Sequence, residues 1–131
     1  MKGRGMKNVL VCLKAALASS LMCAPVVAQQ GSGMSGNLLM GTHVPAFKRF
    51  ADGKGRGTEI GDATYLVGFA SGVAFALGKV DPLVCLPSTV NAGQMTLVFV
   101  QHMEANPAEL HRPADSLAIE AFRKAFSCRR P

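Results

Sequence analysis

The chain has 131 residues, 49% of them hydrophobic, with fourteen basic and eight acidic side chains and a formal net charge of +6. Four of the fourteen cations, Lys2, Arg4, Lys7 and Lys14, fall in the first twenty-eight residues and all eight acids lie beyond them, so the remainder carries only +2. The basicity therefore belongs largely to one terminal segment, and it gives no support to nucleic-acid binding.

That segment reads "MKGRGMKNVLVCLKAALASSLMCAPVVAQQ". A basic start precedes a largely apolar run from Val9 to Cys23, and Val26–Ala28 places small residues at the −3 and −1 positions of a cleavage site. This is the layout of a secretory signal peptide, too short and wrongly flanked for a membrane span. An amphipathic helix belonging to the fold is the alternative. A lipid anchor on Cys23 is a poorer one, because Ser20, Leu21 and Met22 fit a lipobox badly. The expected division is thus a signal peptide over 1–28 and a mature domain over 29–131, acting in the periplasm. About 103 residues suffice for one small domain with one modest core.

Export changes the meaning of the cysteines. Cys12 and Cys23 leave with the signal, and Cys85 and Cys128 remain. Two cysteines in an oxidising compartment are most simply a disulfide, with two unpaired thiols as the alternative.

The mature chain begins with the Gly/Ser-rich stretch "QQGSGMSG", read as a flexible lead-in. "NLLMGTHVPAFKRF" is apolar without a clean period, and Pro45 either limits a helix to the residues before it or starts a second one. "ADGKGRGTE" has three glycines but lacks the Gly-Lys-Ser/Thr ending and the preceding strand of a phosphate loop, so it reads as an exposed basic loop. Thr58 is the expected cap of the next helix, with Glu59 and Asp62 near its start. From Ala63 to Leu77 no charge occurs, and these fifteen residues predict a central helix buried by its neighbours. Gly68 and Gly72 form a small-xxx-small step that suits close helix approach, within the fold or between two copies. Asp81-Pro82 ends this helix.

A third helix is framed by Asn91 and Gln94, which form a capping box, and by the stop at Asn106-Pro107. Its "MTLVFV" centre would pass for a strand on local evidence, but the two caps favour a helix. Pro113 suits the first position of the last helix. Ala114, Leu117, Ala118, Ala121, Phe122 and Ala125 share its inner face, and Glu120 can pair with Lys124 outside. The fold class expected is all-α, a single domain of about four helices with one disulfide.

Chemistry is hard to find in this pattern. His43, His102 and His111 have no metal-ligand spacing, and no serine occupies a Gly-x-Ser-x-Gly elbow. His102 reads as a half-buried packing residue, and His111 as a partner for turn backbone. No catalytic residue, metal or cofactor is expected, and the balance favours a binding protein over an enzyme.

The order of motifs resembles the type VI secretion immunity proteins of the Rap/Tai class. Cys85 and Pro87 match a Cys-x-Pro, and Gly93 and Gln94 match a helix-opening Gly-Gln. Pro107, His111, Pro113 and Ala114 fit a proline-rich turn, and Ala121, Phe122, Ala125, Phe126 and Cys128 fit the ending, with Ser127 where proline is usual. "GFASGV" at Gly68–Val73 and "GNLL" at Gly36–Leu39 resemble the class's earlier helices. A second cysteine pair common in the class is absent, its neighbourhoods being Gly41-Thr42 and Leu66-Val67. The resemblance implies a small helical periplasmic protein, often a homodimer, that occludes the cleft of a secreted peptidoglycan amidase and does no chemistry itself. A small periplasmic chaperone or cell-envelope binding protein is the alternative, with an uncharacterised hydrolase third. Binding residues concentrate on polar loops between packed elements. The candidate contacts are therefore Lys48, Arg49, Lys54 and Arg56 in the loop 48–57, then Glu104, Glu109, His111 and Arg112 in the turn 104–112.

Intact-mass analysis of periplasmic material is expected to show a chain beginning at Gln29. A cytoplasmic protein retaining Met1 would overturn both the compartment and the reason for expecting a disulfide.

Overall fold

The structure is a computed structural model that describes residues 33–128. The expected signal peptide and its cleavage site lie outside these residues. The described residues form the expected all-α domain, with four helices joined by short turns.

Helix α1 (residues 36–51) runs through Pro45 without a break, as Gly36–Leu38, a wide π-turn at Leu39–His43, and Val44–Ala51. This differs from the helix boundary that Pro45 suggested. In a regular helix the proline ring would meet the carbonyl of Gly41. Here the Val44 N–H reaches back to the Leu39 carbonyl, and the widened turn carries the proline inside one continuous helix. Leu39, Val44, Ala46 and Phe47 form its buried face.

Helix α1 ends in a Schellman turn. Gly53, at φ 69°, donates to the Phe50 carbonyl at 3.1 Å, and Lys54 donates to the Arg49 carbonyl at 2.8 Å. A short 3-10 turn, Gly57–Glu59, then leads into α2 (Ile60–Val80). Thr58 does not cap this helix as expected. Because the chain begins to coil at Gly57, Thr58 lies within the turn. The Glu59 carboxylate reaches back instead to accept the Arg56 N–H at 3.0 Å.

Helix α2 buries Ala63, Leu66, Ala70, Ala74 and Leu77 and packs against α1, α3 and α4. Its burial is one-sided. Ile60, Tyr65 and Phe75 are exposed, and so are Gly68 and Gly72, whose absent side chains face open space. Gly57–Val80 is long and apolar enough to cross a membrane by length and composition, and 28% of its apolar eighteen-residue window is buried. The central helix expected to be buried by its neighbours is therefore buried on one face and open on the other.

Helix α3 (Ala92–Ala105) has the expected reciprocal cap. The Asn91 side chain accepts the Gln94 N–H at 2.9 Å, and the Gln94 side chain accepts the Asn91 N–H at 3.0 Å. "MTLVFV" is helical, with Met95, Thr96, Phe99 and Val100 buried. Thr96 satisfies its hydroxyl on the Ala92 carbonyl at 2.7 Å.

Helix α4 (Ala114–Ala125) starts one residue later than expected, with Pro113 at the cap position. Ala114, Leu117, Ala118, Ala121 and Phe122 are buried, but Ala125 is exposed because the core ends at Phe122 and the partly buried Phe126. Glu120 does not pair with Lys124. The turn before α4 holds the Arg112 guanidinium across both Glu120 oxygens, a planar fork that a lysine cannot match.

Two clamps close the bundle. At one end the first N–H groups of α1 find partners on the turn before α4: Gly36 donates to Arg112 at 3.1 Å and Asn37 to Leu110 at 2.7 Å. Ala114 returns a bond to Met34 at 2.7 Å. A Cβ on Gly36 would lie 2.6 Å from a Leu117 methyl and 3.0 Å from the Leu110 carbonyl oxygen, so the approach requires glycine. At the other end Cys85 and Cys128 are disulfide-bonded, with Cα atoms 4.9 Å apart. Cys85 N–H donates to Phe126 at 2.8 Å and Cys128 N–H to Leu83 at 2.9 Å, so the covalent link sits on a short antiparallel pairing. Beside it, the Asp81 carboxylate accepts the Leu83 N–H at 2.9 Å and the Arg123 Nε–H at 2.7 Å. Those bonds, the backbone one first, hold Asp81 below the usual carboxylate range.

Cys128→Ala should lower the unfolding free energy by about 2–4 kcal/mol while keeping the helical circular dichroism, as measured by denaturant melts with and without reductant. Reductant should leave the variant's midpoint unchanged. The depressed Asp81 acid contributes stability that is present above the ordinary carboxylate range and lost as pH falls through its folded-state value. Asp81→Asn should therefore melt earlier at neutral pH and lose less on acidification than the wild type. Parallel pH dependences in the two proteins would contradict this role.

Candidate partner-binding surface

The eight candidate contact residues are placed very differently from one another. Lys48 and Arg49 are not in a loop. They occupy the last turn of α1, where cations complement the helix dipole. The loop proper is the short segment from Asp52 to Arg56. Lys48 pairs with Glu104 at the end of α3. That contact brings the two candidate stretches, distant in sequence, side by side.

Arg49 pairs with Glu59, which also takes the Arg56 backbone N–H. These contacts, with the Arg49 bond foremost, hold the Glu59 carboxyl below its usual range. Lys54 and Arg56 are exposed, and their side chains make no ion pair among the described residues. They are the cations of this surface left available to a partner.

The loop is narrow and firmly shaped. Gly53 supplies the left-handed conformation, and Gly55 lies against Phe50 so closely that a Cβ would come within 2.5 Å of the ring. An open apolar groove of about 310 Å³ runs beside it, between α1 and the start of α2, lined by Phe47, Phe50, Ala51, Ile60, Ala63, Thr64 and Val67. The surface therefore combines two free cations with partly exposed Phe50 and well-exposed Ile60.

The second candidate stretch is more internally satisfied. Arg112 bonds to Glu109 at 3.1 Å and spans Glu120. The pairing raises the Arg112 pKa and lowers that of Glu120, whose largest influence is Arg112. His111 Nδ1 lies 2.9 Å from the Ala108 carbonyl, the turn-backbone contact expected of it. His102 is largely buried, with Nε2 4.0 Å from Glu120. His43 is stacked on Tyr65 at 4.8 Å between ring centres, and its Nδ1 lies 3.1 Å from Asp62 without hydrogen-bond alignment. The three histidines lie apart, and no three His, Cys, Asp or Glu side chains converge on one point among the described residues.

The apolar members of the surface, Phe50 and Ile60, were not among the sequence candidates. Their exposure has no local signature, because an apolar residue at the end of one helix or the start of an apolar one is read as core. The shared signal was position: both flank the glycine-rich loop directly.

A family model described as Rap1a immunity proteins matches residues 48–128. The match begins at the α1 cation Lys48 and ends at the disulfide partner Cys128, taking in α2, α3, α4 and the whole candidate surface. No curated protein and no solved structure matches the chain. The matched span is more than half of the sequence, and with the disulfide-closed helical fold it makes the chain a member of the Rap1a immunity protein family, within the type VI secretion immunity class.

Proposed function

We propose that the protein is exported, cleaved to a mature domain of residues 29–131, and acts in the periplasm as a homodimeric inhibitor of a type VI secreted peptidoglycan amidase. Membership of the Rap1a immunity family is the observation that carries this reading, since an immunity protein acts by binding a secreted effector. Inhibition is by covering the amidase cleft, with no chemistry supplied by this chain.

The contact is made by the loop from Asp52 to Arg56. Its free cations, Lys54 and Arg56, steer encounter with an acidic rim, and Phe50 and Ile60 provide apolar anchors beside them. The adjoining turn with Glu104, Glu109, His111 and Arg112 forms the edge of the same contact through the Lys48–Glu104 pair. Lys48 and Arg49 support the surface from within their own ion pairs and contribute less directly.

A second reading, an envelope chaperone with many clients, draws support from the exposed apolar side of α2. The two readings differ in selectivity, because an occluding inhibitor needs one partner of fixed shape.

Co-expression with the amidase encoded beside this gene, directed to the periplasm, tests the proposal. Wild-type protein should prevent lysis and form a complex with the purified enzyme. Lys54→Glu with Arg56→Glu should slow association at least ten-fold and weaken its salt dependence, with thermal stability nearly unchanged. Lysis with or without the protein, together with no complex from the purified pair, would sink the immunity reading for that amidase. Equal protection of unrelated aggregating proteins would favour the chaperone.

A further inference from the structure

The loop from Asp52 to Arg56 contains two glycines, the residue type with the most backbone freedom to lose. Its backbone is nonetheless held at every residue. The N–H groups of Asp52, Gly53 and Lys54 return to the carbonyls of Lys48, Phe50 and Arg49 at 3.0, 3.1 and 2.8 Å. Gly55 lies against the Phe50 ring, and Glu59 Oε2 accepts the Arg56 N–H at 3.0 Å.

Glu59 closes this arrangement from both sides. Its Oε1 meets the Arg49 guanidinium, which leaves α1 just before the loop, while Oε2 holds the residue at the loop's far end. The Glu59 N–H also donates to the Arg56 carbonyl at 2.9 Å, so these two residues are bonded in both directions. The Glu59 side chain is only 18% exposed, whereas Lys54 and Arg56 face water.

We propose that Glu59 is a positioning residue for the partner-binding loop: its carboxylate bridges Arg49 and the Arg56 N–H, and so presets the backbone from which Lys54 and Arg56 meet an acidic surface of the partner enzyme. The inference rests on the partner-binding surface in the reading above, and adds to it a residue that acts through the loop without touching the enzyme.

The division of charge fits this role. A carboxylate paired with the Arg56 side chain would fix the loop and cancel one of its cations together. Glu59 takes the Arg56 backbone instead and satisfies its charge on Arg49, so the loop is fixed and the Arg56 guanidinium makes no ion pair among the described residues. The Arg49 bond, then the Arg56 N–H, hold the Glu59 carboxyl below its usual range, which keeps it an ionised acceptor at neutral pH.

The energetics point the same way. A half-exposed ion pair contributes little to folding, but placed across the ends of a short loop it acts on the population of loop shapes. A loop that wanders is competent for only a fraction of the time, and apparent affinity falls by that fraction. Fixing it beforehand removes the ordering that binding would otherwise have to impose.

Amide hydrogen exchange on the free protein, with binding to the amidase encoded beside this gene, tests the proposal. Glu59→Ala should speed exchange at the Arg56 amide about ten-fold, leave the buried α3 residues Phe99 and Val100 protected, and weaken binding about five-fold. Glu59→Gln keeps an oxygen for the Arg56 N–H and should recover most of both. A double-mutant cycle decides the role: in a Lys54→Ala, Arg56→Ala background, Glu59→Ala should cost almost no further affinity, because the side chains it positions are gone. An equal cost in both backgrounds would overturn the positioning role. Exchange at Arg56 as slow in Glu59→Ala as in the wild type would overturn the bridge itself and leave the immunity reading standing. A protein that binds no amidase, with Arg56 exchange still governed by Glu59, would overturn the partner-surface reading and the positioning role with it.

Discussion

One helix sets the terms for the rest of the domain: α2, twenty-one residues long, must bury one face against three neighbours at once. It does so with small side chains at three of its five buried positions. Ala63, Ala70 and Ala74 let neighbouring helices come close, while Leu66 and Leu77 fill the wider gaps. Larger residues supplied by the neighbours complete the core, chiefly Leu39 and Phe47 from α1, Phe99 and Met103 from α3, and Leu117 and Phe122 from α4. Aromatic rings pass the contact onward, from Phe69 to Phe99 at 5.8 Å, then Phe122 at 6.4 Å and Phe126 at 6.1 Å. The backbone carbonyl of Phe126 accepts the N–H of the disulfide partner Cys85.

A domain of this size has little apolar area with which to offset its chain entropy, so its ends are held by directional bonds. The Gly36 junction ties α1 to the turn before α4 through three backbone hydrogen bonds. The disulfide ties the chain after α2 to the chain after α4 across 43 residues of sequence. Where the Rap/Tai pattern often carries another cysteine pair, this chain has Gly41 in the π-turn of α1 and the fully buried Leu66 of α2. At that level α1 and α2 are joined by the stack of His43 on Tyr65.

The charged residues divide between holding the fold and facing outward. Lys48, Arg49, Arg112 and Arg123 each meet a carboxylate, and two of these pairs, Lys48–Glu104 and Arg123–Asp81, bridge segments far apart in sequence. Such half-exposed pairs are individually weak, yet they leave these cations less free than Lys54 and Arg56. What remains at the loop is a smaller positive feature than the composition suggests, concentrated at Lys54 and Arg56. Beside them the surface offers shape and the apolar side chains of Phe50 and Ile60.

Much of the fold was legible in the sequence because its signals are local. The Asn91–Gln94 cap, the stops at Asp81-Pro82 and Asn106-Pro107, and the inner stripe of α4 each depend on residues within four positions of one another. The Cys85–Cys128 pairing was also readable, since setting aside the expected signal segment leaves two cysteines and one simple arrangement. Other features needed the tertiary structure because they are relations between distant segments. Glu120 turns to Arg112 because a folded turn brings the guanidinium to it. Lys48 is engaged because α3 ends at Glu104. The exposure of one side of α2 was the least legible feature, since both sides are apolar and uncharged. Periodicity marks a buried face by contrast with a polar one, and where that contrast is missing, only the position of the neighbouring helices decides which face meets water.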